Sequence, residues 1–470
     1  MSRRTVFFLV FLGHLLPMMA QDRQTILSTG LTLVEITTVD GEKPTCEYVH
    51  HPSGCYGKSI ANMTKVPGRL TITKGENVVY DSGDYQEDVS GMTVRIRGNA
   101  SAWDFYPPPY KIKLQKKADL LCRGNEDKYK DKNWLLLRDV ELRTMIGLKV
   151  GEMAGLQWTP ACEYVNVIFN GDYYGVYILM ESVRRNPDCR LNVDKTGFIF
   201  EYDQYWWNTG LYVESTIEQT PMNYTFKYPE EEDMTDQQLA YFTDLMVRVE
   251  QSVLDGTYPD YIDVDSFARW MLVRDMIGCR DGTGANYFLT KYDDTDASKI
   301  KMANLWDLDG CLINYGEWDG AHDHFFFKRL FEPDCPNKAF VETYIRLWEE
   351  LSPTLFDDME KWLDRLNNSD EGESLTKSLD LAFQQYDKKA KSVDYCVVVS
   401  QKWFRIRKEW MTEAVAGLKA VVSGISPVTK PDSFQQEQIY RIDGRRIQHE
   451  MPGLNIIKNH QGWAKKVYKK

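Results

Sequence analysis

Two short acidic motifs carry the chemistry of this 470-residue sequence. The first is Cys279-Arg280-Asp281-Gly282-Thr283-Gly284-Ala285-Asn286, in which an aspartate precedes an asparagine by five positions. That spacing suits phosphoryl transfer. A carboxylate orients an acceptor hydroxyl and takes its proton, and an amide oxygen five residues later helps hold a divalent metal on the phosphates. The second is Trp306-Asp307-Leu308-Asp309-Gly310. Its carboxylates at i and i+2 follow an expected strand over 299–305. They can converge on Mg²⁺ (or Mn²⁺), a hard cation that takes oxygen ligands and bridges phosphate oxygens. Either motif alone arises often by chance; it is their order, with 21 residues from Asn286 to Asp307, that points to phosphoryl transfer from a nucleotide.

A triphosphate also needs a cation. Tyr110-Lys111-Ile112-Lys113-Leu114 reads as a strand with Lys111 and Lys113 on one face, and Lys113 is the expected phosphate-binding lysine. Just upstream, Arg95-Ile96-Arg97-Gly98-Asn99-Ala100-Ser101 can present a guanidinium, a small polar side chain and backbone N–H groups to phosphates. Arg97 and Asn99 are therefore further nucleotide-binding candidates.

The elements that must position these residues divide the chain. Strands are expected over 31–38, 70–80 and 92–96, then a helix over 142–154. A hairpin follows over 163–169 and 173–180, turned by Asn170-Gly171-Asp172, and another strand over 197–202. The polar stretch 218–234 leads into a helix that opens with a Thr235/Gln238 capping box. Helices are expected over 267–277, 339–351, 355–366, 375–386 and 401–418. A β-rich front and a helical back imply an α+β, two-lobed architecture.

Composition narrows the class. Hydrophobic residues at 43% and charged residues at 27% describe a folded protein, and a net charge of −12 disfavours general nucleic-acid binding. Residues 1–20 carry two arginines, an apolar run over 6–16 and Ala20 before Gln21, the pattern of a signal peptide. The mature chain is expected to be secreted, periplasmic or on the cell surface, with no membrane span. In such a compartment Cys46 and Cys55 could close a small loop by a disulfide. His50, His51, His322 and His324 show no metal-ligand spacing and read as loop or surface residues. The adjacent aromatics Tyr205-Trp206-Trp207 and Phe325-Phe326-Phe327 read as packing rather than as a ligand platform.

In order along the chain, RIRGNAS, PYKIKL, NWLLLRDVELR, YVNVIFNGDYYGVYILMESV, RDGTGAN and LWDLDG resemble the spore coat protein H (CotH) kinase family over about residues 31–418. The resemblance implies a divergent protein-kinase-like fold and transfer of the ATP γ-phosphate to serine or threonine of secreted or surface proteins, with a divalent metal. It makes Asp281 the catalytic aspartate, Asn286 and Asp307 metal ligands with Asp309 a second carboxylate ligand, and Lys113 the phosphate lysine. Glu181, in the family's G-x-Y-x-L-x-E signature, is placed near the nucleotide cleft, with a structural ion pair as the equal alternative. Two departures stand out: Cys279 replaces the histidine of conventional kinase loops, and neither Glu141 nor Glu152 aligns as the lysine's glutamate.

The tail differs in character. Residues 423–433 (SGISPVTKPDS) read as a linker, and residues 434–470 carry eight Lys+Arg against three Asp+Glu. Their strand-like pattern resembles the C-terminal sorting domain of proteins exported by the Bacteroidetes type IX secretion system, a small β-rich appendage to a kinase domain over 21–422. An alternative function stays open, a non-catalytic binding or surface-structural protein on the same scaffold.

Overall fold

The structure is a computed structural model that describes residues 22–124, 126–217, 221–279, 284–385 and 391–423, together with four short strands between 438 and 469. The expected signal peptide, the linker from 424 onward and Asp281 lie outside the described residues. The chain divides into two compact units, Met1–Val415 and Ala416–Lys470.

The first unit opens with the short helix Arg23–Leu27 (α1) and then builds a barrel. Its strands are Leu33–Thr38 (β1), Val66–Lys74, Met92–Ile96, Tyr110–Ala118, Asp131–Leu137, Cys162–Phe169 and Asp172–Glu181. With the side hairpin Glu47–His50 (β2) and Lys58–Ala61 (β3), and with Asn77–Asp81 (β5), these become β4, β6, β7, β8, β9 and β10 in chain order. The sheet runs β1-β9-β10-β8-β7-β6-β4-β5 and closes because β1 also pairs with β4. β1 lies antiparallel to β4, from Leu33↔Thr73 to Thr38↔Gly68, and parallel to β9, from Leu33↔Asn166 to Ile36↔Phe169. Alternating residues such as Val34, Ile36, Leu70, Ile72, Val94, Ile112, Trp134, Val165 and Val167 fill one continuous core. The expected strand over 70–80 is two strands, broken at the turn between β4 and β5. The β9–β10 hairpin turns at Asn170 and Gly171, both with the positive φ that a two-residue hairpin turn requires.

Two helices pack among these strands, Ala100–Asp104 (α2) after β6 and Arg143–Met153 (α3) after β8. A second, five-stranded sheet follows, made of Phe198–Asp203 (β11), Tyr212–Val213 (β12), Asn223–Tyr228 (β13), Tyr287–Lys291 (β14) and Ile300–Met302 (β15), in the order β12-β13-β11-β14-β15. β13 falls in what reads from sequence as a polar approach to a helix. β14 begins directly after Asn286, so the acidic loop motif feeds a strand. The architecture is therefore mixed α+β, with a sheet inside the half expected to be helical.

The helices Asp236–Asp255 (α4), Val264–Ile277 (α5), Phe325–Phe331 (α6), Ala339–Asn367 (α7), Asp370–Gln385 (α8) and Val393–Val422 (α9) complete the list. α4 opens with the Thr235/Gln238 capping box, both reciprocal bonds present. α7 is one continuous helix where two were expected. Pro353 sits inside it at an exposed position, so the ring projects to solvent and the helix runs on. In the second unit the strands Gln438–Arg441, Arg446–Ile447, Gly453–Lys458 and Ala464–Lys469 (β16 to β19) form an antiparallel sheet in the order β17-β16-β18-β19.

All nine cysteines are free thiols, so the expected Cys46–Cys55 bridge is absent from the structure. Among the described residues, no helix is long and apolar enough to cross a membrane.

Candidate functional site

A cleft of about 850 Å³ lies within the first unit, lined by residues of both sheets. That is the size range of small-molecule and cofactor pockets, roughly 300–1,000 Å³. The barrel contributes cations: Arg95 from β6, Arg97 just beyond it, Lys111 from β7 and Arg184 just after β10. The second sheet and its loops contribute mostly acids: Glu201 and Asp203 from β11, Glu230 to Glu232 after β13, and Asp307 and Asp309. Leu135, Val183, Phe226, Phe288 and Trp306 add apolar surface.

Each cation is held in a distinct environment. β7 pairs Lys111 with Arg95 of β6, so two positive side chains are neighbours across the strands. Burial, reinforced by Arg184 and Arg95, pushes the Lys111 ammonium down to about 7. Arg184 is ion-paired with Glu230. Arg97 packs its guanidinium over the Trp306 ring at 5.9 Å. Burial lowers its pKa, and the neighbouring Asp307 carboxylate opposes that effect.

On the second sheet Glu201 joins two partners. Its Oε1 accepts the backbone N–H of Asn286 at 3.0 Å, and its Oε2 lies 3.1 Å from the Lys227 ammonium on β13. Asp203, two residues along on the same face, accepts the backbone N–H of Tyr205 at 2.7 Å and the Thr225 hydroxyl at 3.2 Å. Burial and then the adjacent Glu201 charge push its carboxyl up to about 7.

The acidic loops are anchored from below. The Cys279 backbone N–H donates to Asp319 at 3.0 Å, and the Cys279 thiol to the Asp307 carbonyl at 3.7 Å. Arg143 of α3 donates to the Asp309 carbonyl at 2.9 Å. Asp319 is itself ion-paired with Arg274, and both are fully buried. Asp275 accepts from the Tyr344 hydroxyl at 2.8 Å and contacts His322 at 2.9 Å, while Arg407 donates to the Asp275 carbonyl at 2.7 Å. His322 is thus part of an interior network, not a surface residue. Asn286 and Asp307 both adopt positive φ, at 74° and 56°, a conformation non-glycine residues seldom take outside turns and functional sites.

The sequence-derived site residues separate into two groups. Arg97, Asn99, Asn286, Asp307 and Asp309 all line the cleft. Asn99 does so at the start of α2, its amide oxygen accepting from Ser59 at 2.6 Å. Lys113 does not: it lies on the same strand face as Lys111 but one pair further along, exposed and beside Asn133, so of the two β7 lysines it is Lys111 that lines the cleft. Glu181 does not either. It is buried against Arg123 at 3.0 Å and accepts the Ala161 N–H at 3.1 Å, because alternation along β10 aims its neighbours, and not Glu181, at the cavities. Glu141 pairs with Arg143 and Glu152 with Lys149, so neither is a partner for Lys111. Tyr205 lines the cleft. Trp206 packs on Tyr212 and Trp207 donates to the Tyr56 carbonyl. Phe326 and Phe327 are core.

Residues missed from sequence are Arg184, Glu201, Asp203 and Lys227, while Lys111 was named on the strand but passed over for Lys113. The alternating acids of Phe200-Glu201-Tyr202-Asp203 in an apolar strand were a readable signal, since a buried strand rarely carries two carboxylates without a purpose.

The donor set fits a hard divalent cation. Asn286, Asp307 and Asp309 offer oxygen only, and among the described residues there is no ready-made cluster of three His, Cys, Asp or Glu. Mg²⁺ is commonly held in this way, by one or two carboxylates with substrate phosphates completing its shell.

A comparison with protein-family models matches residues 94–411 to the family described as CotH kinase protein. No curated protein matches the chain.

Proposed function

The chain belongs to the CotH kinase family, and from that premise we propose that the cleft transfers the γ-phosphate of ATP to serine or threonine hydroxyls of exported proteins. The observation that carries this reading is the polarised cleft, with Arg95, Arg97, Lys111 and Arg184 on the barrel side and Asn286, Asp307 and Asp309 on the other. A triphosphate would sit on the cations, and Asn286, Asp307 and Asp309 would hold Mg²⁺ (or Mn²⁺). That ion supplies charge neutralisation on the phosphate oxygens when bound. The barrel and the second sheet with its helices act as the two lobes of a divergent kinase-like fold.

In this mechanism Asp281, five residues before Asn286, orients the acceptor hydroxyl and takes its proton. The acceptor oxygen forms a bond to the γ-phosphorus as the bond to the β–γ bridging oxygen breaks, and ADP leaves. Trp306, with the apolar surface of Leu135 and Phe288, offers the base a stacking and packing surface. The first 20 residues direct export, and the basic tail serves as a sorting signal.

Incubation with γ-labelled and, separately, α-labelled ATP tests the reading. The chain should gain the mass of one phosphoryl group, or pass it to an added acceptor, with γ-label only, and Asp281→Ala and Asp307→Ala should abolish this. Incorporation of α-label would mean nucleotide transfer instead. No incorporation and no metal-dependent ATP binding would leave the non-catalytic reading.

A further inference from the structure

The cleft holds a lysine–carboxylate pair that no motif announces. Lys227 projects from β13 with its ammonium 3.1 Å from Glu201. Its side chain is 37% exposed and lines the cleft, whereas Glu201 is 7% exposed. The Lys227 ammonium also lies 5.5 Å from the centroid of the Phe288 ring, which limits its sweep. The same carboxylate holds the backbone of Asn286 through the 3.0 Å bond to its N–H. One buried acid therefore fixes the position of a cleft-facing cation relative to the loop that ends at Asn286.

A carboxylate this buried is costly without partners, and Asn286 N–H and Lys227 supply them. A structural pair, however, needs no access to the cleft. An ammonium carries three donors, so Lys227 can keep Glu201 and still bind a phosphate oxygen. The other cleft cations, Arg95, Arg97, Lys111 and Arg184, belong to the barrel side; among the described residues Lys227 is the cleft cation on the sheet that carries Asn286. Through Glu201 it is tied to Asn286, the oxygen donor expected to help hold a metal on the phosphates.

We propose that Lys227 binds the terminal phosphate of the nucleotide, and that Glu201 is the positioning residue that holds Lys227 and Asn286 in register. The proposal rests on the phosphoryl-transfer reading above and adds to it the residue that distinguishes a triphosphate from a diphosphate.

Titration of the full chain with ATP and with ADP in Mg²⁺, followed by calorimetry, tests it. Wild type should prefer ATP. Lys227→Met should weaken ATP about tenfold or more and leave ADP nearly unchanged, since a hydrogen bond to a charged group contributes about 1.5–3 kcal/mol. Lys227→Arg should restore part of the preference, and Glu201→Gln should reduce it. Acetylation footprinting of wild type gives a readout that does not depend on a variant folding: a non-hydrolysable ATP analogue should protect Lys227, and ADP should not. Equal weakening of both nucleotides, or an unchanged ATP preference in Lys227→Met, or equal protection by both ligands, would overturn the assignment while the phosphoryl-transfer reading stood. Failure of wild type to bind either nucleotide would remove both.

Discussion

The carboxylate of Asp319 accepts the backbone N–H of Cys279 at 3.0 Å across 40 residues of sequence. It thereby fixes the point at which the Asp281 loop departs from α5. The same carboxylate is ion-paired with Arg274 in a fully buried setting, and the backbone N–H of Asp319 donates to the Asp275 carboxylate at 2.9 Å. The loop is therefore anchored by charge in the interior.

Asp319→Ala should destabilise the protein by about 3–5 kcal/mol, because Arg274 is left as a buried unpaired charge. Thermal unfolding monitored by circular dichroism reads this. A loss below 1 kcal/mol would mean that Arg274 finds another acceptor.

Lys111 and Lys113 should behave differently. Lys111 titrates near 7, well below the ordinary lysine value, so the folded state binds fewer protons than the unfolded state from about pH 7 up to that value. Stability contributed at this site is lowest below pH 7 and recovers as pH rises toward 10. A triphosphate favours the charged form, so ATP binding above pH 7 should take up a proton and weaken with rising pH. Lys111→Met should remove that slope in calorimetric titrations across buffers of different ionisation enthalpy. Lys113→Met should leave it in place.

Glu181→Ala should lower stability by about 1–3 kcal/mol, since the Ala161 N–H loses its acceptor while Arg123 keeps Asp119, and leave nucleotide affinity untouched. Parallel melting and titration experiments separate the two effects. A large fall in ATP affinity in a folded variant would return Glu181 to the site.

Gly278 closes α5 at φ 54°, and a Cβ there would lie 2.7 Å from the Trp403 ring. Gly278→Ala should cost about 2–4 kcal/mol, from left-handed strain together with overpacking. Gly417→Ala, in an open stretch of α9 with nothing within 4 Å, should be neutral or stabilising. Denaturant midpoints of the two variants check the contrast.

Local chemistry was legible in the sequence, and distant closure was not. Asn170-Gly171 announces its hairpin and Thr235 with Gln238 announces its helix, because both signals act within four residues. The acidic residues of LWDLDG and Asn286 could be read for the same reason. The seam between β1 and β9 joins residues more than 100 positions apart, and no local pattern records it. Lys111 and Lys113 share a strand face, so alternation alone could not decide between them; the decision comes from where along β7 the cleft lies. Lys227 was hidden because an isolated lysine in a polar stretch looks like solvent-exposed surface. Of the two readings open for Glu181, the structural ion pair is the one present, because alternation along β10 turns it toward Arg123 and away from the cleft.

The seam has a consequence for folding and for dissection of the protein. β1 enters the barrel between β4 and β9, so the ring cannot shut until Phe169 is available to meet Ile36. During synthesis the first five strands should leave the ribosome as an open curl, with the β9-facing edge of β1 unpaired, and closure waits for a loop of well over 100 residues. A fragment limited to residues 94–411, the stretch the family description covers, would lack β1 to β5. β9 and the truncated β6 would then become bare edges, the kind of surface that recruits other chains. Truncations made to find a minimal domain should therefore keep Leu33, and those that begin beyond Thr38 should aggregate.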